Sequence, residues 1–156
     1  MPPVIQFEVL KSNARWRQGQ KVPCALGAVL EEEGLGALHE VTGDGSLRLR
    51  ARLLPGSPDP WKDRARKLAV LGHPNVVPLV GFGVLDGGAF VIEERPDGEP
   101  LRRWTRQVRA KKGTVSLEET AKVAVQVAGA LRHAHDAGIF HGGLDAGSVN
   151  VARDGV

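Results

Sequence analysis

The stretch Leu131 to Val151, LRHAHDAGIFHGGLDAGSVNV, restricts the possible folds more than any other part of this 156-residue chain. A helical run ends at Gly138, a residue type suited to the left-handed backbone that closes a helix. Two apolar residues follow, then a short polar loop opening at His141, then a β-like segment, Val149 to Val151. The run itself begins at Ser116-Leu117-Glu118-Glu119, a capping box with Ser at N-cap and Glu at N3. Along it, Ala121, Ala124, Ala128, Leu131 and His135 make one stripe, and Val123, Val127, Ala130 and Ala134 make a second. A helix that is apolar on two sides requires burial on two sides.

The chain before this helix divides in two. Residues 1–23 form an N-terminal extension: Val4 to Leu10 is β-prone and Lys11 to Lys21 is polar and basic around Trp16, which fits an added edge strand or a mobile arm. From Cys24 short strands dominate: CALGAVL, then EEEGLGALHEV, then a Thr42-Gly43-Asp44-Gly45 turn into SLRLRARLL. Asp-Gly between β-prone runs signals a hairpin. Arg48, Arg50 and Arg52 alternate, which gives a strand one polar face and equally suits an anion-binding role. Trp61 to Leu71 has helical spacing, with Trp61, Ala65, Leu68 and in part Leu71 on one side, and His73-Pro74-Asn75-Val76-Val77 stops it. Val76 to Gly83 and Ala89 to Glu93 read as a hairpin around Asp86-Gly87-Gly88. Strands precede residue 95 and helices follow residue 96, Leu101 to Ala110 being the first of them. The class is therefore α+β, with domains at 24–95 and 96–156.

Net charge is +3, too small to argue for nucleic acid, and none is expected as partner. Arg102, Arg103, Arg106, Arg109, Lys111 and Lys112 nevertheless lie together without an acid among them. A solvated helix face explains them; a site for an acidic partner, a phosphate or an anionic surface is the sharper reading. The single cysteine, Cys24, excludes an internal disulfide. No signal peptide and no apolar run of membrane-spanning length is visible, so a cytoplasmic protein is expected. His133, His135, His141 and Asp136 could suggest a metal, but residues two apart on a helix point about 200° from each other, and no metal is expected.

These landmarks resemble the protein kinase-like superfamily, serine/threonine type. The family's catalytic-loop pattern is LxxLHxxGIxHRDLKPxNIL, and His135, Gly138, Ile139, His141, Leu144 and Val149 match it. Leu30 and Gly34-Leu35-Gly36 match the glycine-loop pattern LGxGxFGxVY, with Leu38 at its valine, and His73-Pro74-Asn75-Val76-Val77 is close to the family's HPNIV. The resemblance implies a small lobe of five antiparallel strands plus one helix, followed by the first helices and the catalytic-loop region of the large lobe. It implies a nucleotide cleft at Gly34, Gly36, Leu38, Arg52, Ile92 (the gatekeeper), Glu93 and Arg95. It also implies losses. The proton-accepting aspartate falls on Gly143 and the metal-binding asparagine on Ser148. Two loop glycines fall on Glu31 and Glu33, the adenine-side alanine on Arg50, and Asn150 replaces an apolar residue. The phosphate-clamping lysine falls on Arg52 and its helix glutamate on Arg64, so the ion pair an active kinase needs becomes two like charges. No DFG segment precedes Val156, so the domain is expected to be truncated. The expected function is a catalytically inactive pseudokinase, a signalling and protein-interaction module of bacterial type, with a protein or the remaining large lobe as partner and no cofactor. ATP and Mg²⁺ are disfavoured by the same losses. The alternative is a fragment of a serine/threonine kinase whose missing C-terminal sequence completes ATP binding and phosphotransfer.

Overall fold

The computed structural model describes residues 2–31, 36–42 and 48–152. They form two compact units, Met1–Gly72 with Val77–Arg95, and His73–Val76 with Pro96–Val156.

The first unit is a barrel. Its strands are β1 (Val4–Val9), β2 (Lys21–Glu31), β3 (Leu38–Thr42), β4 (Leu49–Leu54), β5 (Leu79–Leu85) and β6 (Gly88–Glu94), with helix α1 (Asp59–Ala69) between β4 and β5. Every pairing is antiparallel, and the order β1-β2-β3-β4-β6-β5 closes when Glu8 and Val9 pair with Phe82 and Gly81. The expected five-stranded sheet is thus a closed barrel of six strands. The added one comes from the N-terminal segment: Val4–Val9 lies between β2 and β5, neither an edge strand nor a mobile arm.

Alternation along β1 explains why. Ile5, Phe7 and Val9 point inward and are buried with Trp16, Val22, Cys24, Leu26, Val41, Leu49, Ala51, Val80, Phe90 and Ile92. Phe7 meets the Trp16 ring edge-on at 5.6 Å. Two aromatic side chains need room in so small a barrel, and β5 gives it: a Cβ on Gly81 would strike the Phe7 ring and one on Gly83 the Phe90 ring. The β5–β6 hairpin turns on Asp86 and Gly87, both at positive φ, as a two-residue type I′ connection demands.

A second apolar cluster lies outside the barrel, where Leu10, Leu54, Phe82, Ala89 and Val91 pack with Ala65 and Ala69 of α1. The buried stripe of α1 runs 61, 65, 69, so Leu68, expected on it, is exposed instead. Glu8 of β1 reaches Arg66 and Lys62 of α1 at 3.8 and 4.0 Å, partly exposed contacts worth little energy.

The second unit contains β7 (Glu99–Pro100), α2 (Leu101–Lys112), α3 (Leu117–Asp136) and β8 (Asn150–Val151), with β7 and β8 paired antiparallel. Ser116 and Glu119 form the reciprocal capping box that their spacing predicts. Pro100 at the N-cap of α2 has no side chain for that task. Carbonyls of the 141–149 loop replace it: Leu101 N–H donates to Val149 O at 2.8 Å and Arg102 N–H to Ala146 O at 3.0 Å. The His73–Val76 turn belongs to this unit, its His73 ring 5.3 Å from that of His133 and its Asn75 bonded to Gln126.

Among the described residues, the only buried residue of this unit is Val151. The stripe through Val123, Val127, Ala130 and Ala134 is half-buried, while Ala121, Ala124 and Ala128 are exposed. The two-sided burial expected of α3 is met on one side only.

Candidate functional site

The residues predicted to line a nucleotide site fall on different faces of the barrel. In β4, Leu49, Ala51 and Leu53 face inward and Arg50 and Arg52 outward. Register then fixes their neighbours: Arg50 lies between Glu40 of β3 and Glu93 of β6, and Arg52 between Leu38 and Val91. Directly opposed residues share a face, so Leu38, Glu40, Arg50, Arg52, Val91 and Glu93 form one outward patch. Ile92 is not part of it. Its side chain is buried in the barrel interior opposite Ala51, because one step along a strand reverses the face. The residue of β6 beside the arginines is Glu93.

Glu93 is shared. Arg50 donates to its Oε2 from Nε at 2.9 Å and from Nη2 at 2.7 Å, and Arg52 Nε lies 3.6 Å from Oε1. The three side chains are only 14%, 20% and 16% exposed for Arg50, Arg52 and Glu93. At such depth a lone charge is costly and a paired one is tolerated. Arg52 also points Nη1 toward Gly36 O at 3.5 Å. Gly36 itself sits at φ 145°, where a Cβ would collide with the Leu53 carbonyl. The glycine is thus required by its close approach to β4. Arg95 completes the patch by pairing with Glu40 at 3.3 Å. Glu40 was not singled out from the sequence, because only the β3–β4 register brings it beside Arg50.

Arg64 lies elsewhere. It is exposed on α1 with its guanidinium carbon 5.5 Å from the Trp61 ring centre, a cation–π contact. Arg52 and Arg64 are thus each engaged by another group, Glu93 and the Trp61 ring. Gly34 and Glu33 lie outside the described residues, as does the side chain of Glu31.

In the second unit, the loop after α3 is organised by Asp145, which occupies the lysine position of the HRDLK pattern. Its Oδ1 accepts from the N–H groups of Gly147 and Ser148, each at 2.9 Å, and from the Ser148 hydroxyl at 2.8 Å. Its Oδ2 lies 3.2 Å from Arg102 Nη2. Hydrogen bonds from Ser148 and Gly147, with a smaller contribution from Arg102, hold the carboxyl below the usual aspartate range. Asp145 was overlooked in the sequence, although the reversal of charge at a lysine position was visible there. Gly143 N–H donates to His141 Nδ1 at 3.3 Å and brings no side chain. Ser148 spends its hydroxyl on Asp145. Asn150 pairs through its backbone with Pro100 in the short ribbon.

Among the described residues, no group of three or more His, Cys, Asp or Glu is placed to hold a metal ion. His133 and His135 diverge as helix geometry requires, toward His73 and Phe140 respectively. Cys24 is buried in the barrel, and burial pushes its thiol up to about 11. No helix among the described residues is long and apolar enough to cross a membrane.

No protein-family profile matches the chain. Individual relatives do. A probable serine/threonine-protein kinase of Clostridium perfringens is 29% identical over 96 residues, 62% of this chain and 13% of the relative. A serine/threonine-protein kinase of Mycobacterium bovis is 25% identical over 154 residues, 93% of this chain and 26% of the relative. A probable inactive receptor kinase of Arabidopsis thaliana is 31% identical over 123 residues, 74% of this chain and 12% of the relative. The chain is a protein kinase-like one. Its bacterial relatives place it beside the serine/threonine kinases. It spans between 12% and 26% of the length of the curated relatives it matches.

Proposed function

We propose that this chain is a catalytically inactive, kinase-like domain that serves signalling by binding a protein partner. The observation that carries the reading is the shared ion pair at Glu93. The arginine at the phosphate-clamping position and the arginine at the adenine-side position both spend their charge on one carboxylate of the same sheet. A nucleotide would have to displace Glu93 from Arg50 and Arg52 and would leave that carboxylate uncompensated beside its own phosphates.

The residues do not fit Mg·ATP in other respects either. A magnesium ion bound to nucleotide draws on carboxylates and phosphates. Here the loop offers Gly143 and Ser148 at the two relevant positions, and its one carboxylate, Asp145, is committed to its own turn. Gly143 has no group to accept a proton from a substrate hydroxyl. The plant relative, itself named for an inactive kinase, is compatible with such losses.

Incubation with radiolabelled ATP, Mg²⁺ and a generic protein substrate tests the reading directly. No incorporation above a buffer control is expected, and turnover that scales with protein concentration would end it. The short share of each relative that the chain covers favours a second reading, in which further sequence completes an active kinase. A DFG-like triplet downstream of residue 156 in the reading frame is the observation to seek for it.

A further inference from the structure

Helix α2 carries six cations and no acid, and the structure separates those with partners from those without. Arg102 pairs with Asp145 at 3.2 Å, Arg103 with Glu99 at 3.2 Å and Lys112 with Glu119 at 3.3 Å. Arg106, Arg109 and Lys111 are exposed and have no ion-pair partner among the described residues. At about 100° per residue, Arg102, Arg106 and Arg109 fall within a stripe about 60° wide, while Lys111 points to the far side. The stripe rises about 10 Å from end to end, with steps of about 6 and 4.5 Å. Thr105 and Val108 are half-buried and hold the stripe outward.

We propose that Arg106 and Arg109, extended at one end by Arg102, which Asp145 holds at 3.2 Å, form a docking stripe for a short acidic peptide segment, one presenting carboxylates at helical i, i+4, i+7 spacing. This extends the reading of the domain as a binding module and rests on it only for the word partner, since the stripe is defined by α2 alone. Three features choose this occupant. All three cations are arginines, whose planar forks suit bidentate carboxylate contacts. The stripe is short, about 10 Å, which matches two turns of a helical peptide rather than a long polyanion. Half-buried Trp104 leaves no exposed aromatic ring on α2 for bases to stack on, which disfavours single-stranded nucleic acid.

The test uses the 156-residue chain and a fluorescent alanine-rich helical peptide with Glu at i, i+4 and i+7, at low salt. Measurable binding is expected for the wild type, with about tenfold loss in R106E/R109E and little change in K111E. Circular dichroism melting of each variant checks folding, and R106Q/R109Q, which removes charge without reversing it, gives an intermediate loss if the stripe is the site. Three results would overturn the proposal: no binding to the Glu peptide beyond that of a Gln-substituted one, equal losses in K111E and R106E/R109E, or tighter binding to a single-stranded oligonucleotide or to anionic vesicles. A phosphotransfer signal from the same preparation would bear on inactivity alone and leave the stripe to stand or fall by these titrations.

Discussion

Glu93 decides the character of the barrel's outward patch. Replacing it by Gln leaves Arg50 and Arg52 shielded from solvent and without their shared carboxylate. We expect E93Q to lose about 2 kcal/mol of stability, read from urea unfolding, since breaking a partly buried pair from one side costs more than the pair contributes. A double change, R50Q/E93Q, is expected to lose less than E93Q, because it leaves one arginine, Arg52, without the shared carboxylate instead of two. Asp145 makes a different prediction, in pH. Its folded-state titration lies below the ordinary carboxylate value, so its contribution is present above the unfolded pKa of about 3.9 and disappears as pH falls through the folded one. The amides of Gly147 and Ser148 should therefore lose hydrogen-exchange protection only below about pH 4. Loss well above pH 4 would show that a group other than Asp145 governs the turn. The arginines at 50 and 52 were legible in the sequence, because a known pattern marks those positions. Their partner was not, since Glu93 and Glu40 meet them only through registers spanning three strands.

Elements divide into those that dictate themselves and those that need their neighbours. The capping box of α3, the Asp86-Gly87 turn and the arrest of α3 near Gly138 are local signals, and all three appear where the residues place them. Ser116→Ala should cost about 1 kcal/mol and lower helical content of α3 first. The barrel's closure is not local. Val4–Val9 reads only as a β-prone segment until its inward Phe7 is set against Gly81, a residue some seventy positions away. Gly81→Val should disrupt that closure by about 1–3 kcal/mol or more through overpacking against Phe7. Cys24 offers the readout: its buried, raised thiol reacts slowly with a thiol reagent in the closed barrel and should react far faster in G81V. Equal rates in the two proteins would show that β5 does not hold β1 in place. That Ile92 and Glu93 lie on opposite faces of β6 has the same origin, since a motif gives sequence spacing but only the ladder gives the face.

Across the whole molecule the buried side chains are concentrated in the barrel unit, and among the described residues the helical unit buries Val151 alone. Exposed Leu117 and Val125 on α3 and Phe140 after it, at 85%, 71% and 74%, leave that unit with little apolar burial of its own. Hydrogen exchange should accordingly show α2 and α3 opening at lower free energy than β4 and β6. Self-association of the isolated chain at raised concentration is expected from the same surface, and a monodisperse monomer in size-exclusion chromatography would count against it. What unites the scales is the proposal that kinase-like segments are kept while, among the described residues, the groups that would meet phosphate, metal and a transferring proton are replaced or turned on one another. Thermal melting with and without Mg·ATP tests that claim most directly, because a ligand bound only by the folded state raises the midpoint. The expected result is an unchanged midpoint at millimolar nucleotide. A saturable rise of several degrees would show that Arg50 and Arg52 give up Glu93 for phosphate, and would contradict the account.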